Sequence, residues 1–136
     1  MKYDKDMAQG EYPIKFPLDV KIGYSQFKGR FMISGRDFVY IANHAKGPDG
    51  TIVLAFKSVE HPDLLPTKKY VRAHTYIAGW FLKPRPDDPN TCDCLYMSEV
   101  SLKGSLPQAL QDVAANNQGH KVFKVRDAMV SKYGAK

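Results

Sequence analysis

The sequence predicts an α+β domain, in which an antiparallel sheet of about five strands is followed by one long C-terminal helix. Two observations predict this class. Strand-like segments, rich in aromatic and β-branched side chains, occupy most of residues 20–102, and short turns join most of them. After residue 104 the spacing of apolar residues changes to that of a helix. Consecutive strands joined by short turns favour an antiparallel meander.

Composition and charge limit the classes of function. With 136 residues, 43% of them apolar and 25% charged, the chain suits one globular domain with a sizeable core. The net charge of +6 is spread along the chain without a helix-turn-helix, zinc-finger or aromatic–glycine RNA motif. A solvated basic surface is therefore favoured over nucleic-acid binding. The charged amino terminus lacks the apolar core of a secretory signal, which favours a cytoplasmic protein.

The predicted strands follow an N-terminal leader. Residues 1–19, interrupted by Pro13 and Pro17, are interpreted as this leader, and the domain is expected to span residues 20–133. Five segments have strand character, and the turn "KGPDG" makes a hairpin of the second and third. In chain order they are "VKIGYSQFKG" (20–29), "RDFVYIANHA" (36–45), "TIVLAFKSV" (51–59), "YVRAHTYIAGWFLKP" (70–84) and "TCDCLYMSEVSL" (91–102).

One connection between strands is unusual. The stretch "SVEHPDLLPTKKYVRA", residues 58–73, replaces a short polar turn with two prolines and an adjacent Leu64–Leu65 pair. Lys68 and Lys69 follow at once. Such a loop exposes apolar surface that a simple turn would not, so it is a candidate contact with a ligand, a membrane or a partner protein.

The C-terminal third is predicted to be helical, with a kink or break. Ser105 is expected to act as the N-cap and Gln108 to complete a capping box. Two apolar stripes lie on nearly opposite sides of one continuous helix, so a break near Asn116, Asn117 and Gly119 would realign them. The stripes consist of Leu106, Ala109, Leu110, Val113 and Ala114, and of Val122, Val125, Met129 and Tyr133.

Three motifs, in order, resemble the START family of lipid-binding domains. They are "GRDFVYIA" (35–42), "KSVEHPDLLPTKKYVRA" (57–73) and "LKGSLPQAL" (102–110). The resemblance implies a helix-grip fold, shared with Bet v 1-like proteins, in which a curved antiparallel sheet wraps a tunnel for one sterol, phospholipid or sphingolipid. The C-terminal helix closes the tunnel and no chemistry is performed on the ligand.

The resemblance covers only part of the family domain. The family's N-terminal helix, first strands and two short helices normally precede the segment matched here, and about twenty residues are too few to supply them. The chain is therefore expected to be a natural short form, a fragment, or one half of a sheet that a partner completes. An incomplete sheet exposes an edge, so a homo-oligomer is one expectation.

The resemblance also assigns the tunnel wall and the lid. The opposite face of the long fourth strand is equally apolar, so this choice depends on the resemblance alone. The expected lid, which would contact a membrane transiently, contains Leu64, Leu65, Lys68 and Lys69. The expected lipid-binding residues are Phe38, Tyr40, Ala42, Arg72, His74, Tyr76, Ala78 and Trp80.

The roles of two polar wall residues stay open, as does the ligand class. Arg72 could bind an anionic headgroup or pair with Glu60 or Asp63. His74 is expected to be hydrogen-bonded within the fold rather than bound to ligand, and Arg36 and Asp37 are interpreted as structural anchors. The family's choline cage would fall on Ser25, Phe38 and Tyr76, and its sterol-binding acid–arginine pair on Gly23 and Ala42. Neither set is intact.

The remaining motifs favour neither an enzyme nor a metal protein. Cys92 and Cys94 are one residue apart, and no histidine pair has ligand spacing. No G-x-S-x-G or comparable nucleophile motif is present. The prediction is a cytoplasmic lipid carrier that acts peripherally at membranes, with no catalytic residues, no cofactor and no metal. The alternative is a protein-interaction module derived from a START domain, without bound lipid.

Overall fold

The computed structural model describes residues 7–30 and 33–134 as one antiparallel sheet with two C-terminal helices. The order of strands across the sheet is β1-β2-β3-β4-β6-β7, and the two-residue β5 runs parallel beside β3. This confirms the predicted α+β meander. The strands are β1 (Met7–Lys15), β2 (Lys21–Phe27), β3 (Arg36–Lys46), β4 (Ile52–Ser58), β5 (Val71–Arg72), β6 (His74–Pro84) and β7 (Cys92–Ser101), and the helices are α1 (Gln108–Gly119) and α2 (Lys121–Tyr133).

Part of the expected N-terminal leader forms strand β1. Residues Met7–Lys15 pair antiparallel with β2, with Ile14 opposite Ile22 and Gly10 opposite Ser25. Pro13 is compatible with this position because an edge strand tolerates a residue without an N–H donor. The ring of Tyr12 also packs edge-to-face on that of Tyr40, with 6.4 Å between centroids.

Strand registers divide the sheet into two faces. Trp80 pairs with Leu54 on one side and Tyr96 on the other, and residues that pair across strands point to the same face. We call this the helix-facing face, since Tyr96 Oη donates a hydrogen bond to Gln118 of α1. The other side is called the outer face. It carries Val53, Phe81 and Leu95, which pair with one another across the sheet. Each is the chain neighbour of a residue on the helix-facing face, so its side chain points the other way.

A β-bulge in β6 interrupts the alternation of faces. Thr75 pairs with Val100, whereas Ile77 pairs with Glu99, so Tyr76 is an extra residue in β6. As a result His74 pairs with Ser101 and Ala78 with Ser98. Because Ser98 and Ser101 point to opposite faces, the side chains of His74 and Ala78 do so as well. The expected wall residues of the fourth predicted strand therefore do not all share one face of the sheet.

The C-terminal helix is broken, as predicted. α1 and α2 meet at His120, directly after Gly119. The capping prediction is wrong, because α1 begins at Gln108 with Pro107 as its N-cap and no side-chain capping bond. Neither helix buries a residue fully. Among the described residues, no helix is long and apolar enough to cross a membrane.

Candidate functional site

A groove of about 730 Å³ lies between α1 and β7. Its floor is formed by Tyr96, Ser98 and Val100, alternate residues of β7 that share the helix-facing face. Its wall is one face of α1, on which neighbours recur every three or four residues. The main wall residues are Gln108, Gln111, Asp112, Ala115 and Gln118.

Tyr96 joins the sheet to the junction of the two helices. Its ring stacks at a tilt on Trp80, with 4.6 Å between centroids. Its hydroxyl donates to Gln118 Oε1 at 3.2 Å and accepts a bond from Lys121 Nζ at 3.4 Å. The Lys121 ammonium also lies 5.2 Å from the ring centroid, within cation–π range. One side chain therefore fixes where both helices approach the sheet.

The rest of the helix-facing face carries an aromatic cluster. Tyr40 contacts Phe56 edge-to-face at 5.8 Å, and Phe38 contacts Phe27 at 5.6 Å. Gly23 is required opposite Tyr40, because a Cβ there would lie 2.4 Å from the tyrosine ring. Aromatic pairs of this kind add about 0.5–1.5 kcal/mol to the energy of area burial. These side chains form an aromatic area on the helix-facing face.

A second pocket, of about 330 Å³, lies beneath the loop that precedes β5. We call it the loop pocket. Leu64 and His61 of the loop cover it, and Arg72, Ala73 and His74 line it from below. Lys103 closes one side, while Leu65 is part of the rim and is 68% exposed. The two pockets share only Lys103 among their lining residues.

Arg72 makes a bidentate ion pair with Asp37. Its Nε lies 2.9 Å from Oδ1 and its Nη2 lies 3.1 Å from Oδ2 of an aspartate that is 0% exposed. Its Nη1 donates to the Leu64 carbonyl at 3.0 Å, which ties the loop to the sheet. The partner is therefore Asp37 rather than Glu60 or Asp63, and Asp37 is indeed a structural anchor. Two parallel hydrogen bonds between a guanidinium and a carboxylate fix the relative orientation of the two side chains as well as adding energy.

Tyr24 completes the environment of Asp37. Its hydroxyl donates to Asp37 Oδ2 at 3.1 Å and accepts from Gln26 Nε2 at 2.9 Å. Burial raises the pKa of the Tyr24 hydroxyl above its ordinary value, and the neighbouring Asp37 carboxylate contributes in the same direction. The neutral phenol is thus the form that this site favours.

Arg36 anchors the turn between β7 and α1. It donates to the carbonyls of Leu102 at 3.2 Å and Lys103 at 2.9 Å, and to that of Ser34 at 2.6 Å. Desolvation lowers the pKa of its guanidinium, but three carbonyl acceptors satisfy the charge. Gly104 follows with a φ of +74°, which suits glycine and turns the chain toward α1.

The predicted lipid-binding residues separate into two groups. Phe38, Tyr40, Ala42, Ala78 and Trp80 share the helix-facing face, as the registers require. The others lie elsewhere: Arg72 and His74 line the loop pocket, and the ring of Tyr76, which is half exposed, contacts that of His74 edge-on with 4.7 Å between centroids. Contact of any of these residues with a lipid stays a prediction.

Sequence reasoning found only part of the groove lining, since Leu106 and Ala114 belong to the predicted apolar stripe. Tyr96 and Ser98 belong to a predicted strand but were not assigned a role. The polar residues of α1 that line the groove lie outside the predicted apolar stripe, and Leu110 and Val113 of that stripe are exposed. The sequence signal for this floor is the alternation along β7, which places Cys94, Tyr96 and Ser98 on one face of the sheet. Among the described residues, no cluster of three potential metal ligands occurs.

Comparisons with known proteins agree on one family. The sequence model of the START domain matches residues 3–136. StAR-related lipid transfer protein 5 of Bos taurus is 37% identical over 81 residues, which are 60% of this chain and 38% of that protein. The mitochondrial steroidogenic acute regulatory protein of Danio rerio is 33% identical over 101 residues, covering 74% of this chain and 35% of that protein.

Solved structures give the same result for the fold. Human STARD10 superposes with a TM-score of 0.84 at 22% identity, over 97% of this chain and 53% of that chain. Human StAR-related lipid transfer protein 5 superposes with a TM-score of 0.77 at 27% identity, over 86% and 56%. The helix-grip prediction is confirmed. The chain spans little more than a third of the length of the curated relatives described above and about half of the length of these solved chains.

Proposed function

This chain belongs to the START domain family, and on that premise we propose that it carries one lipid in the space between its helix-facing sheet surface and its C-terminal helices. The observation that supports this most strongly is the groove of about 730 Å³ between α1 and β7. Ligand sites usually enclose about 300–1,000 Å³, and the groove combines apolar lining residues such as Val100 and Leu106 with polar ones such as Ser98 and Gln111. The relatives include proteins named for lipid transfer.

Apolar burial would supply most of the binding free energy. Each methylene removed from water contributes about 0.8 kcal/mol, and Tyr96, Val100 and Leu106 offer apolar contact surface in the groove. The polar groups at the groove, such as Ser98 and Gln111, would orient a ligand headgroup. This arrangement needs no catalytic residue, so we propose a carrier rather than an enzyme.

Exchange of the ligand would occur at a membrane surface. Leu65 projects from the loop with Lys68 and Lys69 close behind it, and all three are exposed. Each lysine near an anionic membrane contributes about 1 kcal/mol of attraction. Because Arg72 ties Leu64 to the sheet, we expect the helices, which bury no residue fully, to move more readily than the loop.

The experiment that tests the carrier function compares the protein with a variant whose groove is filled. The protein is purified, extracted with organic solvent and examined by mass spectrometry, and transfer of labelled lipid between vesicles is measured. Ser98→Trp should place an indole in the groove and abolish both co-purified lipid and transfer. Val53→Trp, on the outer face, is the matched control and should keep both.

An interaction module without lipid is the second candidate. The observation that favours it is the exposed apolar surface on the outer face, which includes Val53, Ile77, Phe81, Leu95 and Met97. A purified protein that contains no lipid and transfers none would support this candidate and contradict the carrier function.

A further inference from the structure

We propose that the loop pocket is a binding site for a small zwitterionic group, in which an ammonium and a phosphate are joined by a short linker. Glu60 would bind the ammonium and Lys103 the phosphate. The loop pocket is separate from the groove proposed for the lipid, and the inference does not depend on whether that groove is occupied. It follows from the charges that line the loop pocket and from which of them are already compensated.

Three charged side chains line the loop pocket when histidines are counted as neutral. They are Glu60, Arg72 and Lys103. The Arg72 guanidinium is compensated by the Asp37 carboxylate through hydrogen bonds of 2.9 and 3.1 Å. The pocket is therefore left with one uncompensated charge of each sign.

These two remaining charges line the same pocket without pairing. Within residues 7–30 and 33–134, neither Glu60 nor Lys103 forms an ion pair, with the other or with a third side chain. A ligand that carries both complementary charges can satisfy them at once. An ion of a single sign would compensate one of them and lie near a like charge, which is unfavourable. The pair therefore favours a zwitterion over a simple anion or cation.

Main-chain contacts hold each charged residue at the pocket. Val59, the neighbour of Glu60, donates its N–H to the Val39 carbonyl at 3.2 Å. The Lys103 carbonyl accepts from Arg36 Nη2 at 2.9 Å. The φ of Lys103 is +47°, a left-handed conformation that non-glycine residues seldom adopt and that persists where the surrounding structure enforces it. Both residues are thus positioned before a ligand arrives.

The rest of the lining suits a small polar ligand. The floor is closed and apolar, since Val39 and Ala73 are only 1% and 2% exposed. Ser58 and His61 add polar groups. His61 accepts the Asp63 N–H at Nδ1, so in the neutral ring the proton is assigned to Nε2, which can donate to a phosphate oxygen. A volume of about 330 Å³ lies at the lower end of the range for small-molecule sites.

Two sources carry this chemistry. One is a free molecule such as phosphoethanolamine, and the other is the headgroup of a phospholipid whose chains occupy the groove. Lys103 lines both pockets, so a headgroup that leaves the groove at this end meets its ammonium. The shared requirement is an ammonium and a phosphate on one ligand.

Titration with phosphoethanolamine, followed by NMR of the histidine rings, tests the proposal. Of the four histidines in the chain, His61 and His74 line the loop pocket, whereas His44 and His120 do not. The probe should bind and shift the resonances of the first two only. Ethylamine and methyl phosphate, which each carry one of the two charges, should bind about tenfold more weakly. Because the probes are soluble, the result is independent of the carrier function.

Charge-removing variants identify the residues that recognise the probe. Lys103→Met and Glu60→Gln should each weaken phosphoethanolamine binding about tenfold. Lys57→Met and Glu99→Gln remove the same charges outside both pockets and should leave binding unchanged. Circular dichroism would check that all four variants fold. The proposal is overturned if the probe does not bind, if it shifts His44 or His120 instead, or if the two pairs of variants bind it equally well.

Transfer of labelled lipids between vesicles distinguishes the two sources. If the zwitterion is a headgroup, Lys103→Met should slow the transfer of phosphatidylethanolamine about tenfold and spare diacylglycerol, which lacks both charges. If it is a free molecule, the variant should lose the soluble probe and transfer both lipids normally. Either result supports the site. Equal slowing of both lipids by Lys103→Met, with Lys57→Met unaffected, would contradict charge recognition by Lys103.

Discussion

At the scale of single residues, the most informative contact is the ion pair of Arg72 with Asp37. It connects three separate parts of the chain, since Asp37 is near the start of β3, Arg72 belongs to β5 and the Leu64 carbonyl belongs to the loop. Asp37 has no exposed surface, and each of its oxygens accepts a hydrogen bond. A charge buried in this way is stable only while its partners remain.

Replacing Asp37 by alanine should therefore destabilise the fold strongly. Removing one partner of a buried pair costs about 3–5 kcal/mol, because the remaining charge is left uncompensated. Urea unfolding monitored by circular dichroism would measure this loss. Arg85→Ala is the control, since its pair with Asp87 is on the surface and should contribute little. A loss no larger than that of the control would contradict the anchoring role.

The raised pKa of Tyr24 predicts a loss of stability at high pH. The folded state holds the phenolic proton more tightly than the unfolded state, whose ordinary value is 10.0. The stabilising contribution is thus complete below about pH 10 and is lost as the pH rises through the raised folded value. The difference in unfolding free energy between wild type and Tyr24→Phe should shrink from pH 9 to pH 11. A difference that is independent of pH would contradict this prediction.

At the scale of elements, the loop before β5 is held to the sheet through one of its two adjacent leucines. Leu64 covers the loop pocket and its carbonyl is fixed by Arg72, whereas Leu65 faces solvent. The adjacent leucines therefore have different roles. Leu64 stabilises the fold, and Leu65 is the one available for contact with a membrane.

A Leu65→Asp substitution should slow lipid transfer without unfolding the protein. The aspartate removes apolar surface and adds a charge that anionic lipids repel. Transfer between vesicles that contain phosphatidylserine would be measured beside the melting temperature. Leu18→Asp, which alters an exposed leucine in the β1–β2 turn, is the matched control. Equal transfer by both variants would count against membrane contact by the loop.

The elements also show how far the sequence alone can lead. β2, β3, β4, β6, β7 and the break before His120 were predictable, because alternation, turn residues and helical spacing are local signals. The bulge at Tyr76 was not predictable, since both faces of this strand are apolar and one extra residue does not change the sequence pattern visibly. β1 was missed because Pro13 reads as a strand breaker unless the strand is known to lie at an edge. Asp37 as the partner of Arg72 depends on the pairing of β3 with β5, which is not local.

At the scale of the whole molecule, the sheet has more apolar surface than the described chain covers. The fully buried apolar residues lie in β2, β3 and β6 or just before β6, and neither helix contributes one. The outer face exposes an apolar row that includes Val53, Phe81 and Leu95. Three kinds of partner would cover such surfaces: a lipid, a second copy of the chain, or another protein.

The central claim is that the helix-facing face holds a lipid, and the most direct measurement is native mass spectrometry of the purified chain. The carrier function predicts that the protein retains one lipid molecule per groove and that Ser98→Trp removes it, while Val53→Trp does not. A protein that is empty as purified and takes up no labelled lipid from vesicles would contradict the claim.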